Sequence, residues 1–274
     1  MGLGIIYTIV NQKGGVGKTT TAINLGAFLA QLGQRVLIID IDPQSNATSS
    51  LGADKNAVNS GTYDVLIGSQ PILSQILYNP KFKISLLPSS PALAGGEIEF
   101  VGLRDRENRL KQVLEPIRAR YDYVLIDCPP SLGLLTLNGL VAARNGLLIP
   151  VQCEYLALEG LGQLIQTIER VRQSLFSDLA IRGVILTMYD GRTNLSTDVQ
   201  KEVRRFFGSK VFQAVIPRSI RLAEAPSYGM PISVFSPDST GAKAYAALAQ
   251  ELLESDNQNH HSVEEERSWL ADLD

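Results

Sequence analysis

The densest concentration of chemistry in the chain is the run Asn11-Gln12-Lys13-Gly14-Gly15-Val16-Gly17-Lys18-Thr19-Thr20, which follows an apolar stretch at residues 5–10. Glycines let a backbone turn successive N–H groups inward around an anion. A helix opening at the same place aims its positive end at that anion. The chemistry such a loop can do is phosphate binding. Gly14, Gly15, Val16, Gly17 and Thr20 supply the cradle, Lys18 reaches the β and γ phosphates, and the Thr19 hydroxyl can ligate Mg²⁺. The general pattern wants a glycine where Gln12 stands, so a strict match fails while the physical requirements hold. A glycine-rich turn without a ligand is the competing reading. The coincidence of strand, loop, Lys-Thr pair and helix weighs against it.

Phosphoanhydride hydrolysis also needs a metal to bridge phosphates and a group to orient water. Two apolar runs end in aspartates: residues 36–41 lead into Asp40 and Asp42, and residues 123–126 lead into Asp127. Ligands of parallel α/β sheets gather at the carboxyl ends of the strands, so all three acids can face the phosphates. One strand-end aspartate could simply cap the next turn. Two independent cases beside a phosphate loop make that reading weaker.

Positioning these residues calls for short apolar strands alternating with helices, the pattern of βαβ units and a mostly parallel, P-loop-type α/β sheet flanked by helices. Strands are expected at residues 5–10, 36–41, 123–126, 146–151, 181–186 and 211–216, with a weaker one at 84–87. Each is apolar nearly throughout, as strands covered on both faces are. Ala22, Leu25, Leu29 and Leu32 share a helical face that Gly33 would stop, and residues 156–176 and 240–253 also read as helices. Residues 44–80 carry turn punctuation and predict loops and short helices. One large domain over residues 1–254 suits the length of 274 residues and the 45% hydrophobic content. Residues 251–274 hold eight carboxylates and one arginine, and a disordered acidic tail is expected over 255–274, the alternatives being a segment folded onto its own domain or a short helix docked on a partner. Its apolar members are Val263, Trp269, Leu270 and Leu273.

The net charge of −3 advertises no nucleic-acid partner globally. Cys128 and Cys153 lie in apolar runs and read as buried thiols, which suits a reducing compartment. No targeting segment is expected, and no apolar run approaches the ~18 residues of a membrane span.

Lys13 is the informative departure from the general loop. With it, the chain resembles the ParA/MinD family of deviant Walker ATPases, whose motif reads Lys-Gly-Gly-x-Gly-Lys-[Ser/Thr]. The resemblance is nearest to the chromosomal ParA (Soj-like) branch, through Pro130-Ser131-Leu132-Gly133, residues 150–155, 186–194, 215–218 and 225–229. It implies an ATPase, weak alone and stimulated by a partner, with ATP and Mg²⁺ as cofactors. Lys13 would reach across to the partner's ATP in an ATP-bound homodimer. Asp42 would position the attacking water near the metal, and Asp127 would hold Mg²⁺ through water. Asp40 matches a further carboxylate near the metal, and Met188 and Pro217 would line the adenine pocket. Arginines matching Arg192 and Arg221, with Arg218 in support, would bind DNA without sequence preference. The implied role is chromosome or plasmid partition with a ParB-type partner, in the cytoplasm and on the nucleoid. The alternative is a ParA-like ATPase that positions another intracellular cargo.

Local charge agrees with the DNA expectation. Residues 182–221 carry eight Lys or Arg against three Asp or Glu, a balance of +5, with Arg192, Arg218 and Arg221 read as loop residues. Only a dozen residues precede the loop, so no helix-turn-helix and no operator reading are expected. A membrane-binding relative would need a basic amphipathic C-terminus, an iron–sulfur relative interfacial cluster cysteines, and a tyrosine kinase a tyrosine-rich tail. The chain carries none of these patterns.

Overall fold

A computed structural model describes the backbone of residues 3–58, 60–155 and 157–271, and their side chains except at positions 97, 98, 157–159 and 259–271. Every apolar run expected as a strand is one. The strands are β1 (Ile5–Ile9), β2 (Val36–Asp40), β3 (Leu77–Asn79), β4 (Ile84–Leu87), β5 (Tyr123–Asp127), β6 (Leu147–Gln152), β7 (Ile181–Tyr189) and β8 (Val211–Pro217). They form one sheet in the order β3-β4-β2-β5-β1-β6-β7-β8. All neighbours are parallel except the β3–β4 pair.

The apolar runs are continuous because both faces of the sheet are covered. Alternate residues of a strand serve opposite cores: Ile6, Leu37 and Ile39 face one, and Ile5, Tyr7, Val36 and Ile38 the other. The first core is completed by residues such as Leu110, Leu140, Leu164 and Val199. The second is completed by the helix Lys18–Gln31, through Ala22, Leu25 and Leu29, and by Tyr245, Leu248 and Leu252 of the C-terminal helix. Leu32, expected on the buried face, instead follows the last helical residue and is exposed, while Gly33 at φ +86° makes the stop. Cys128 and Cys153 are free and buried, as expected. Residues 44–80 form short helices and loops, plus the edge strand β3.

The C-terminal helix differs most from expectation. It runs from Thr240 to Ala271, so the boundary expected after residue 254 falls inside it. Asp256, beyond that boundary, is buried. Its carboxylate accepts hydrogen bonds from Tyr7 Oη at 2.6 Å, Tyr123 Oη at 3.0 Å and Arg182 Nη2 at 2.8 Å. The helix is thereby pinned to β1, β5 and β7. Val263, Trp269, Leu270 and Leu273 lie outside the described side chains. Among the described residues, no helix is long and apolar enough to cross a membrane.

Candidate functional site

The carboxyl ends of the strands converge on the loop after β1. Gly15 and Gly17 hold φ +75° and +90°, left-handed values that a side chain would strain. The helix Lys18–Gln31 starts on Gly17 without a side-chain cap, which leaves its first N–H groups available to an anion. Lys18 is buried, and its Nζ donates to the Lys13 carbonyl at 3.1 Å. Burial pushes its ammonium below the ordinary lysine range, with Asp127, Cys128 and Asp42 opposing. Two residues outside the glycine run brace the loop. Asn11 Nδ2 donates to the Pro150 carbonyl at 2.8 Å while its Oδ1 accepts from Lys13 N at 3.0 Å. Thr187 Oγ1 donates to the Val16 carbonyl at 2.9 Å. Neither brace was legible in the sequence; both depend on strands distant along the chain.

Asp127 ends β5 in register with Ile9 of β1 and Asp40 of β2. Asp40 and Asp127 are thus buried cross-strand neighbours, and they behave differently. Asp40 is saturated: its Oδ1 accepts from Asp42 N at 3.1 Å, and its Oδ2 accepts from Thr48 N at 2.8 Å and Thr48 Oγ1 at 2.7 Å. Asp40 therefore shapes the turn that carries Asp42, a role its position alone did not announce. Both Asp127 oxygens are buried without a well-formed hydrogen bond. Burial, reinforced by the Asp40 carboxylate, pushes the Asp127 carboxyl well above the usual range, and the Thr19 hydroxyl and Lys18 oppose this only in part. An unpartnered buried carboxylate is expensive and calls for a cation. Among the described residues, no group of three or more His, Cys, Asp or Glu could hold a metal alone. A divalent ion at Asp127 would complete its shell with Thr19, water and phosphate oxygens, the ligand set Mg²⁺ favours. Asp42 is buried, and one of its carboxylate oxygens accepts from Gln44 N at 2.9 Å.

Met188 and Pro217 line, with Gly17, Thr20 and Tyr245, a cleft of about 320 Å³ beside the loop. Lys13 lines a different, wider cleft of about 700 Å³ together with Tyr155, Met188, Arg192 and Arg218. The arginines are less free than the sequence suggests. Arg192 pairs with Asp190 at 2.6 Å, Arg218 with Glu154 at 2.9 Å and Arg221 with Glu224 at 2.9 Å. Glu154 and Glu224 lie outside residues 182–221, so including them lowers the local balance from +5 to +3. Arg221 sits on the short helix Ile220–Glu224 rather than in a loop. The three guanidinium groups are themselves solvent-exposed, and surface pairs of this kind are weak enough for a phosphate to compete with the carboxylate.

Comparison with known proteins bears on this geometry. A family model described as an AAA domain matches residues 4–181. The sporulation initiation inhibitor protein Soj of Bacillus subtilis is 52% identical over 250 residues, 91% of this chain and 98% of that protein. The chromosome partitioning protein ParA of Myxococcus xanthus is 48% identical, covering 93% of this chain and 89% of that one. Cobyrinic acid a,c-diamide synthase of Mycobacterium smegmatis, solved with an ATP analogue and magnesium, superposes with a TM-score of 0.83 at 37% identity, over 94% of this chain and 97% of that one. With the deviant lysine, the uncapped helix and the paired strand-end aspartates on one sheet, and about half of all residues shared with Soj and ParA proteins, this chain belongs to the ParA/MinD family of P-loop ATPases.

Proposed function

We propose that this chain is a partition ATPase that binds ATP with Mg²⁺, dimerises when ATP is bound, and in that state holds DNA without reading its sequence. The observation that carries the reading is the buried, unpartnered Asp127 beside Thr19 and Lys18 at the mouth of the phosphate loop. Mg²⁺ would supply charge neutralisation across the phosphates. This chain's own residues do the rest. The backbone of 14–17 and the helix start bind the phosphates, Lys18 fixes the terminal ones, and Thr19 and Asp127 hold the ion. Asp42, on the turn shaped by Asp40, orients a water for in-line attack.

Lys13 is the residue for the second copy. It lines the wider, outer cleft rather than the cleft of Met188 and Pro217, the base side in this reading, which suits reaching a partner's nucleotide. Arg192 and Arg218 lie along the same outer cleft and Arg221 follows shortly after, so closing two copies would bring two sets of cations together. Such a surface would bind phosphates without reading base edges. The reading includes a ParB-type partner that stimulates hydrolysis and a cytoplasmic, nucleoid-associated location, as fits relatives named for chromosome partition.

The test is retention on DNA of unrelated sequences with Mg-ATP, with Mg-ADP and without nucleotide. Retention with ATP alone, equal across sequences, is expected. Equal retention in all three states, or a marked sequence preference, would overturn the proposal.

A further inference from the structure

β7 alternates its residues between the two cores: Val184 and Leu186 face one, and Ile185 faces the other. Thr187 therefore falls on the Ile185 face, the side covered by the phosphate-loop helix. It is buried, and its hydroxyl donates to the carbonyl of Val16 at 2.9 Å. Immediately afterwards the strand departs from regular geometry. Met188 takes φ +52°, and the pairing with β8 slips between Leu186 and Tyr189. Irregularities of this kind re-aim side chains, and Met188 here lines both clefts flanking the loop.

We infer that Thr187 is a positioning residue for nucleotide binding, setting the Val16–Gly17 peptide of the phosphate loop and tying it to the wall formed by Met188 and Pro217. The inference rests on the nucleotide reading above and adds a residue from outside the loop to it. A trans peptide is planar, with its C=O and N–H pointing in opposite directions. No peptide among the described residues is cis. With the Val16 carbonyl held towards Thr187, the Gly17 N–H must point away from that side chain. Gly17 itself passes close by: a Cβ there would lie 3.8 Å from Thr187 Cγ2. The hydroxyl thus fixes the orientation of a donor in the cradle, while the next residue in the strand contributes to the base-side wall. Loop and wall are joined through this side chain.

The experiment compares Thr187→Val, which keeps the shape and removes the donor, with Thr187→Ala and Thr187→Ser in the full-length protein. Calorimetry gives the affinity for Mg-ADP and Mg-ATP, and steady-state assays give kcat and KM. Val and Ala should each weaken both nucleotides by about five- to tenfold, the effect of losing one hydrogen bond of ordinary net worth. kcat at saturation should stay within about twofold, since no group acting on the terminal phosphate has changed. Ser should restore affinity. Should Thr187→Val fail to fold, the Ala–Ser pair carries the same comparison. Affinity unchanged without the hydroxyl, a Ser variant as weak as Ala, or a loss confined to kcat would each overturn the inference. Failure of the wild type to bind ATP, or normal binding by Lys18→Ala, would instead strike the nucleotide reading itself.

Discussion

Asp127 and Lys18 are the residues whose surroundings demand a ligand, and their variants should behave differently from each other. Lys18→Ala removes the buried ammonium of the loop and should weaken ATP by about 3 kcal/mol, roughly a hundredfold, by calorimetry. Asp127→Asn should abolish Mg²⁺-dependent hydrolysis yet stabilise the nucleotide-free protein, because it removes a desolvated charge with no partner. The pH dependence has a definite sign. Burial raises the folded Asp127 carboxyl above the unfolded value of about 3.9, so the folded state holds the proton more tightly. Wild-type stability should therefore decline as pH rises from the unfolded value towards the raised one, and the Asn variant should show a shallower slope in melts across the acid range, with Asp40, pushed up to about 6 by burial, keeping its share. An Asn variant that melts lower at every pH would mean Asp127 is satisfied in a way its geometry does not show. Much of this site was legible from residue types alone, because Lys18-Thr19 and the strand-end acids carry their chemistry in their spacing. The supports were not. Thr48, Asn11 and Thr187 are ordinary polar residues whose roles exist only once remote strands meet.

Strands buried on both faces announce themselves as apolar runs, which is why seven of the eight were readable and β3 was not. Leu77–Asn79 is a short edge strand whose two apolar residues are exposed, so no burial pattern marks it. The C-terminal helix escaped for the opposite reason. After residue 253 its composition is largely polar, yet no glycine or proline interrupts residues 242–271, and among the described side chains a buried contact ties it to the sheet. That contact is Asp256, held by Arg182, Tyr7 and Tyr123. Asp256→Ala should strand the Arg182 guanidinium and cost about 3–5 kcal/mol in denaturant unfolding. A chain cut after residue 258 should keep the wild-type midpoint, whereas one cut after residue 255 should unfold as readily as Asp256→Ala. Equal midpoints for the two truncations would remove Asp256 from its place as the helix anchor.

For the whole molecule, a net charge of −3 coexists with Lys13, Arg192 and Arg218 along one cleft, so the proposed DNA binding should be local and sensitive to salt. If Arg192, Arg218 and Arg221 of two copies each meet a phosphate, six contacts give a log–log salt slope of about −5. Arg192→Glu with Arg221→Glu should reduce it to about −2 on every sequence alike, with hydrolysis in the absence of DNA nearly unchanged. A double variant with the wild-type slope would acquit the arginines. The sequence could place them on one stretch of chain but not reveal the carboxylates they hold in the free protein, since Glu154 arrives from the end of β6. In the proposed function, ATP joins two copies through Lys13. Light scattering with a non-hydrolysable ATP analogue and Mg²⁺ should show the wild-type mass doubling, while Lys13→Gln binds the analogue with near-normal affinity and keeps the mass of a single chain. A Lys13→Gln protein that binds the analogue and doubles its mass as the wild type does would contradict it.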